Sequence, residues 1–404
     1  MPVYLFKVLS VILNLEYLLA FDPKADCNNV GADVWNYVPC DSYYQPDNCF
    51  SDDLAVVNLE EFDRCGPSYM PIIGRNYYLG SSGQRETFND NKSAFRKIKI
   101  IPKVLRDVSK YCTKVTVLGT EIDYPIGFSP VGLLKLAHPE GDLALVAGLK
   151  NWNTILIMSS YATNTIEDVA ERAKGSSLQL WMQTYFFKNF TTTMDIINRA
   201  EKNGFKALVV SADTNVNPTE TCGARSGLVL PPDVEVINVG QNYKTAIASN
   251  ATFNDIVYIR SRTRLPIVAK GILSASDAIR AIQAGASAIL VSNHGGRQMD
   301  YSPATIDALP FIVDTVKEYY PHIEIYVDGG IRNGYDIYKA LARGAKMVFL
   351  GRPSIWGIAF NGSSGVNQVM DIITSEFQEV MTLSGHTDPN QITRDSLLPQ
   401  LPTF

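Results

Sequence analysis

Histidine is scarce in this chain, which has four: His138, His294, His322 and His386. With none ahead of His138, an N-terminal haem module is not expected, because it would need axial ligands. Charge of one sign is nowhere concentrated. The 36 basic and 41 acidic residues leave a net charge of −5, with neither a basic block nor an acidic tail. Nucleic-acid binding needs a cationic face to displace counterions, so it is not expected. The six cysteines never form Cys-x-x-Cys, the spacing that would signal a metal or redox motif, and no metal site is expected. No Gly-x-Gly-x-x-Gly follows the first apolar strand, so the strongest sign of a dinucleotide site is missing.

What is present divides the 404 residues into four parts. Residues 1–20 read as a secretory signal peptide: Lys7 starts it, Val8 to Ala20 is mostly apolar though interrupted by Glu16, and Ala20 offers a small residue for cleavage. That run is too short for a membrane span, so no membrane association is expected of the mature form. Residues 21–70 form a cysteine-rich irregular extension in which Cys27, Cys40, Cys49 and Cys65 crowd a turn-rich stretch. Disulfides fit such crowding in an exported chain, with Cys112 and Cys222 either a third bridge or free thiols. Asn91, Asn189, Asn250 and Asn361 each begin an Asn-x-Ser/Thr acceptor. Secretion is the expected localisation, with the lumen of an exocytic compartment or a peroxisome-like organelle as the alternative.

Residues 71–390 carry a repeated unit, and 391–404 a polar tail. Short apolar, β-branched runs occur at 125–129, 154–159, 178–185, 206–211, 266–270, 287–292, 323–328 and 346–351. Segments of helical period lie between most of them, and residues 366–384 close the series. Continuously apolar strands alternating with amphipathic helices imply parallel strands buried on both faces. Eight such strands suit a closed (β/α)8 barrel better than an open sheet. One connection departs from the rhythm: after Ser211, roughly forty Gly/Pro/Asn-rich residues precede a helix, as a lid over the strand ends would require.

In such a barrel the chemistry sits at the C-terminal strand ends. Those positions here hold Ser159, Gln183 and Tyr185, Ser211 and Asp213, Lys270, Ser292 with His294 and Arg297, Asp328, and Arg352. Strand ends are often polar for solvation alone, but this set converges on one mouth. His294 follows a buried strand and precedes Gly295 and Gly296, which let the backbone turn tightly. A histidine there is a natural general base, and Arg297 offers a planar fork for an oxygen anion. The Asp328-Gly329-Gly330-Ile331-Arg332 and Gly351-Arg352-Pro353 segments match the phosphate site that barrels build after strands seven and eight. Lys270 fits either a Schiff-base lysine or an electrostatic stabiliser.

Together these segments resemble the FMN-dependent α-hydroxy-acid oxidase and dehydrogenase family, which includes glycolate oxidase and lactate oxidase. The likeness runs from about Tyr77 to Gly385 and is carried most specifically by Ser292-Asn293-His294-Gly295-Gly296-Arg297-Gln298. Further landmarks are Ala137-His138-Pro139-Glu140-Gly141, Tyr301-Ser302-Pro303-Ala304-Thr305 and Phe349-Leu350-Gly351-Arg352-Pro353. The resemblance implies FMN as cofactor, an α-hydroxy substrate and a homo-oligomer, while the export features and the missing haem partner point to O2 as acceptor. It implies His294 as base beside Asp213, with Arg297, Tyr77 and Tyr185 at the substrate. Lys270 would lie near the flavin N1–C2 carbonyl, and Ser159, Gln183, Ser211 and Ser292 near the ring system. The backbone of Pro130, Val131 and Gly132 would meet its other edge. Asp328, Gly330, Arg332, Gly351 and Arg352 would hold ribityl and phosphate.

Three departures sharpen the expectation. Glu220 stands where the family carries a carboxylate-binding arginine, with Arg225 as a possible substitute in a rearranged loop. Tyr161 replaces the tryptophan of plant glycolate oxidase. The export features and the lack of a Ser-Lys-Leu terminus differ from peroxisomal members. An ordinary 2-hydroxy acid is the first expectation for the substrate, and a neutral aromatic α-hydroxynitrile such as mandelonitrile the second. A secreted flavin-binding protein without turnover is the non-enzymatic alternative. An FMN barrel isomerase or nucleotide dehydrogenase would need a catalytic cysteine, and only Cys222 follows a strand end.

Overall fold

The computed structural model describes residues 56–216, 229–240, 243 and 246–399. The leader, Cys27, Cys40, Cys49, Glu220, Cys222 and Arg225 lie outside these residues. Eight parallel strands close into a barrel: β3 (Ile126–Phe128), β4 (Ile155–Met158), β5 (Gln179–Thr184), β6 (Ala207–Ser211), β7 (Ile267–Ile272), β8 (Ala288–Val291), β9 (Glu324–Asp328) and β10 (Met347–Leu350), with β10 returning to β3. Seven of the eight expected apolar runs contain one of them, and the run at 266–270 overlaps β7, which continues to Ile272.

The continuous hydrophobicity has a geometric cause. Alternate residues of each strand face opposite sides, and both sides are buried. Ile155 and Ile157, Ala207 and Val209, and Ala288 and Leu290 point inward with Trp181, Tyr326 and Phe349. Leu156, Met158, Leu208, Val210, Ile289 and Val291 point outward against the helices. Those helices are α4 (Asp142–Leu149), α5 (Ile166–Ala173), α6 (Phe190–Lys202), α7 (Phe253–Arg260), α8 (Ala275–Gln283), α9 (Thr305–Tyr319), α10 (Gly334–Ala342) and α11 (Arg352–Leu383).

Two features depart from the sequence reading. A hairpin of β1 (Val115–Val117) and β2 (Thr120–Ile122) plugs the bottom of the barrel, adding Val115, Val117 and Ile122 to the inner core. Its turn uses positive φ at both Leu118 and Gly119, the geometry that two-residue hairpins require. The Glu324 carboxylate accepts the Leu118 N–H at 3.1 Å and anchors the tip. The last helix also starts earlier than expected, at Arg352, and bends at Asn361–Gly362, where the backbone is non-helical. Ile355, Trp356 and Ile358 bury its first turns, so no amphipathic period marks them.

Ahead of the barrel, α1 (Leu59–Cys65), α2 (Ile72–Leu79) and α3 (Glu86–Lys97) pack on it, with Leu59, Phe62 and Phe95 in the main core. Residues expected to form the polar tail are docked as far as 399: Leu397 bridges Ile100, and Ile392 is buried. Cys65 is disulfide-bonded, and Cys112 is a free, exposed thiol rather than part of a third bridge.

Candidate functional site

The parity that fills the barrel also builds the site. Inward positions continue two residues at a time past the apolar layer: Ile157 leads to Ser159 and Tyr161, Trp181 to Gln183 and Tyr185, and Val209 to Ser211 and Asp213. Likewise Val268 leads to Lys270, Leu290 to Ser292 and His294, Tyr326 to Asp328, and Phe349 to Gly351. A strand that is apolar below and polar above thus delivers its polar residues into the mouth.

There they line a cleft of about 1030 Å3, a figure that takes in the open solvent at its mouth. Its wall includes Tyr77, Pro130, Val131, Gly132, Ser159, Tyr161, Gln183, Tyr185, Lys270, His294, Arg297, Asp328, Gly330, Arg332, Gly351 and Arg352. Three expected site residues stand one layer behind the wall. Asp213 contacts His294, Ser292 accepts from Lys270, and Ser211 accepts from Gln183.

The centre of the site is a relay of short contacts. His294 has φ +57, and with Gly295 and Gly296 also at positive φ the chain turns sharply. Its own N–H donates to Ser292 Oγ at 3.1 Å. The imidazole Nδ1 sits 3.1 and 3.0 Å from the two Asp213 oxygens, so the other ring nitrogen is left for the cavity. Burial would raise the Asp213 carboxyl, but His294 and Lys270 together bring it down to about 2. It is a carboxylate at any working pH. Lys270, almost fully buried, donates to Ser292 Oγ at 2.8 Å and lies 3.9 Å from Asp213 and 3.7 Å from Asp328. Two carboxylates, Asp213 and Asp328, thus flank this buried amine.

One flank is aromatic. Tyr185 stacks near-parallel to His294 at 6.4 Å, and Tyr161 packs against Tyr185, Phe187 and Tyr243. The Tyr161 hydroxyl donates to the Tyr243 carbonyl at 3.0 Å. Burial pushes the Tyr185 phenol well above its ordinary value, so it remains a donor. Arg297 donates to the Tyr77 and Gly80 carbonyls at 2.8 and 3.0 Å, its guanidinium 4.8 Å from the Tyr77 ring centroid.

The other flank is cationic. Arg332, Arg352 and Lys92 line it beside the Gly329-Gly330 turn and Gly351. Arg352 donates to the carbonyls of Tyr78, Gly80 and Gly295 and stacks on Phe88. Burial, then the neighbouring Arg297 and Arg332, brings it down to about 9. Gly330 has φ +84, and a Cβ there would sit 1.9 Å from the Asn91 carbonyl oxygen. Between the flanks, Asp328 Oδ2 accepts from Ser129, while the buried Oδ1 has no partner.

Strand-end reading missed Lys92, Asn91, Phe88 and Tyr78, because they arrive from helices before the barrel. Asn91 exchanges two hydrogen bonds with Asn293, next to His294. It is 3% exposed, which corrects its reading as a glycan acceptor; Asn189, Asn250 and Asn361 are exposed. Among the described residues no cluster of His, Cys, Asp or Glu could hold a metal, and no helix is long and apolar enough to cross a membrane.

Comparison with known proteins agrees with this geometry. A family model described as FMN-dependent dehydrogenase matches residues 68–399. The chain is 37% identical over 349 residues to 2-hydroxyacid oxidase 1 of Homo sapiens, covering 82% of this chain and 93% of that protein. To peroxisomal (S)-2-hydroxyacid oxidase GLO3 of Arabidopsis thaliana it is 38% identical over 353 residues, covering 84% and 96%. Its fold matches a mandelate oxidase crystal structure with TM-score 0.80 at 31% identity, over 86% of this chain and 99% of that one.

Proposed function

This chain belongs to the FMN-dependent α-hydroxy-acid oxidase family, and from that premise we propose that it oxidises a 2-hydroxy acid to the 2-oxo acid while reducing O2 to hydrogen peroxide. The cavity suits the cofactor. Its cationic flank offers a dianion Arg332, Arg352 and the backbone N–H groups at Gly330 and Gly351, beside the start of α11. The orphaned Asp328 Oδ1 is an acceptor for a ribityl hydroxyl. Ser159, Gln183 and Lys270 face the space left for the ring system, with Ser211 and Ser292 acting through Gln183 and Lys270.

FMN supplies the acceptor for the two electrons that leave the substrate carbon. The protein does the rest. Arg297, with the Tyr77 and Tyr185 hydroxyls, holds the substrate's polar head, and Tyr161 bounds the space for its side chain. His294 takes the proton released on oxidation, and Asp213 stabilises the imidazolium. Lys270 provides fixed positive charge where negative charge gathers on reduction. The carrying observation is the His294–Asp213 contact at 3.0 Å, set in a wall that also holds Lys270, Tyr185 and Arg297.

A second reading rests on Glu220, outside the described residues, in place of the expected arginine. A neutral aromatic α-hydroxynitrile would tolerate that carboxylate, and the tyrosines around Tyr161 would suit an aromatic substituent. The leader, the exposed acceptors and the Cys65 disulfide support secretion through an oxidising compartment. Peroxide release from glycolate, lactate, mandelate and both enantiomers of mandelonitrile tests the substrate. A carboxylate should be preferred; preference for a nitrile overturns the first reading in favour of the second.

A further inference from the structure

Asp63 lies on α1, before the barrel, and is absent from the cavity wall, yet its carboxylate gathers donors from three separate parts of the chain. Arg332 Nε donates to Oδ2 at 2.7 Å, and Lys92 Nζ donates to the same oxygen. Trp356 Nε1 donates to Oδ1 at 2.8 Å. Arg332 and Lys92 both reach the cationic end of the cavity, and Trp356 is buried on α11, whose first residue Arg352 lines that end.

The local charges make this placement consequential. Lys92, Arg332 and Arg352 repel one another at close quarters, and Asp63 is the carboxylate that pairs directly with the first two. Burial would raise the Asp63 carboxyl, but Arg332 and Lys92 outweigh it and hold it well below the usual range. Arg332 also donates through Nη1 to the Ile331 carbonyl, so two of its three nitrogens are committed to the protein. A planar guanidinium fixed at two nitrogens has a fixed third edge.

We propose that Asp63 is a positioning residue for the cofactor phosphate, aiming Arg332 and Lys92 and tying them through Trp356 to the start of α11. This rests on the FMN reading above. Asp63 is not on the cavity wall and so would not itself touch the phosphate, and as an anion it would repel it slightly. If its only effect were charge, removing it would tighten binding. If it orients the cations, removing it weakens binding, and only for a flavin that carries phosphate.

The test is titration of the flavin-free protein with FMN and with riboflavin, followed by flavin fluorescence, for wild type, Asp63→Asn and Asp63→Glu. Asp63→Asn should weaken FMN about 10- to 100-fold and leave riboflavin within about twofold. Asp63→Glu keeps the charge but moves it by one methylene. It should give a smaller FMN-specific loss, and it serves alone should the Asn variant fail to fold. The rise in melting temperature on adding FMN should shrink in both variants. Equal losses for the two flavins would mean a general structural role, and unchanged or tighter FMN binding would mean a simple charge effect; either overturns the proposal. A folded wild type that binds neither flavin overturns the FMN reading itself.

Discussion

Replacing Asp213 with Asn separates the charge of the buried carboxylate from its shape. Asn fills nearly the same volume, and because Asp213 is not on the cavity wall the cofactor site should be undisturbed. What is lost is the stabilisation of a protonated His294. At 3.0 Å and an effective dielectric of about 20, a unit charge pair is worth roughly 5 kcal/mol. The His294 side chain is 22% exposed, so screening reduces this to roughly 3–4 kcal/mol. That corresponds to about 10²- to 10³-fold in the rate of the step that forms the imidazolium. The Lys270 ammonium, 3.9 Å from the same carboxylate, would add to the loss by leaving excess positive charge. Rapid mixing of the FMN-loaded variant with a 2-hydroxy acid under anaerobic conditions reads this step as bleaching of the flavin band. Flavin content should match wild type while bleaching slows by that factor. A rate within about threefold of wild type would show that the carboxylate does not support the imidazolium.

Gly271 sits at φ +94, and a Cβ there would fall 2.5 Å from the Asp213 side chain. Gly271→Ala should therefore lower turnover about 10- to 100-fold through displacement alone, measured beside an unchanged flavin content. Asp142 accepts from the Thr163 N–H and hydroxyl and from the Asn164 N–H, and burial raises its carboxyl to about 6. A pKa raised on folding means stability present in the acid form and lost as pH rises through about 6. Denaturant melts at about pH 4 and about pH 7 should show Asp142→Asn gaining roughly 2–3 kcal/mol on wild type between them; a constant difference contradicts it. Glycopeptide mapping of exported protein should find Asn91 unmodified, since it is sealed against Asn293.

Much of the barrel was legible because its signal is local. Each strand is a short apolar run that ends in a polar residue, and the period of two that places Leu290 inward also places Ser292 and His294 at the mouth. The bottom hairpin was not legible: Val115 to Ile122 is brief, and its role depends on meeting the barrel interior. The same limit hid Asp63, Lys92 and Asn91. Asp63 meets Arg332 and Trp356, and Asn91 meets Asn293, each about 200 or more residues away, while Lys92 pairs with Asp63 on another helix, so nothing in their own neighbourhood marks them. Asn91 shows the reverse hazard, since a local triplet signalled an exposed acceptor where long-range packing buries it. The family resemblance assigns Ser211 and Ser292 to the cofactor, whereas in the structure their hydroxyls accept from Gln183 and Lys270.

The most direct measurement is anaerobic mixing of the FMN-loaded protein, as wild type and as His294→Asn, with a 2-hydroxy acid. The wild-type flavin should bleach and recover on admitting oxygen with release of peroxide. In the variant the flavin should remain bound while bleaching slows by at least about a hundredfold. Bleaching at the wild-type rate in the variant, or a wild-type flavin that no α-hydroxy compound reduces, would contradict the assignment of His294 as the base of an oxidase.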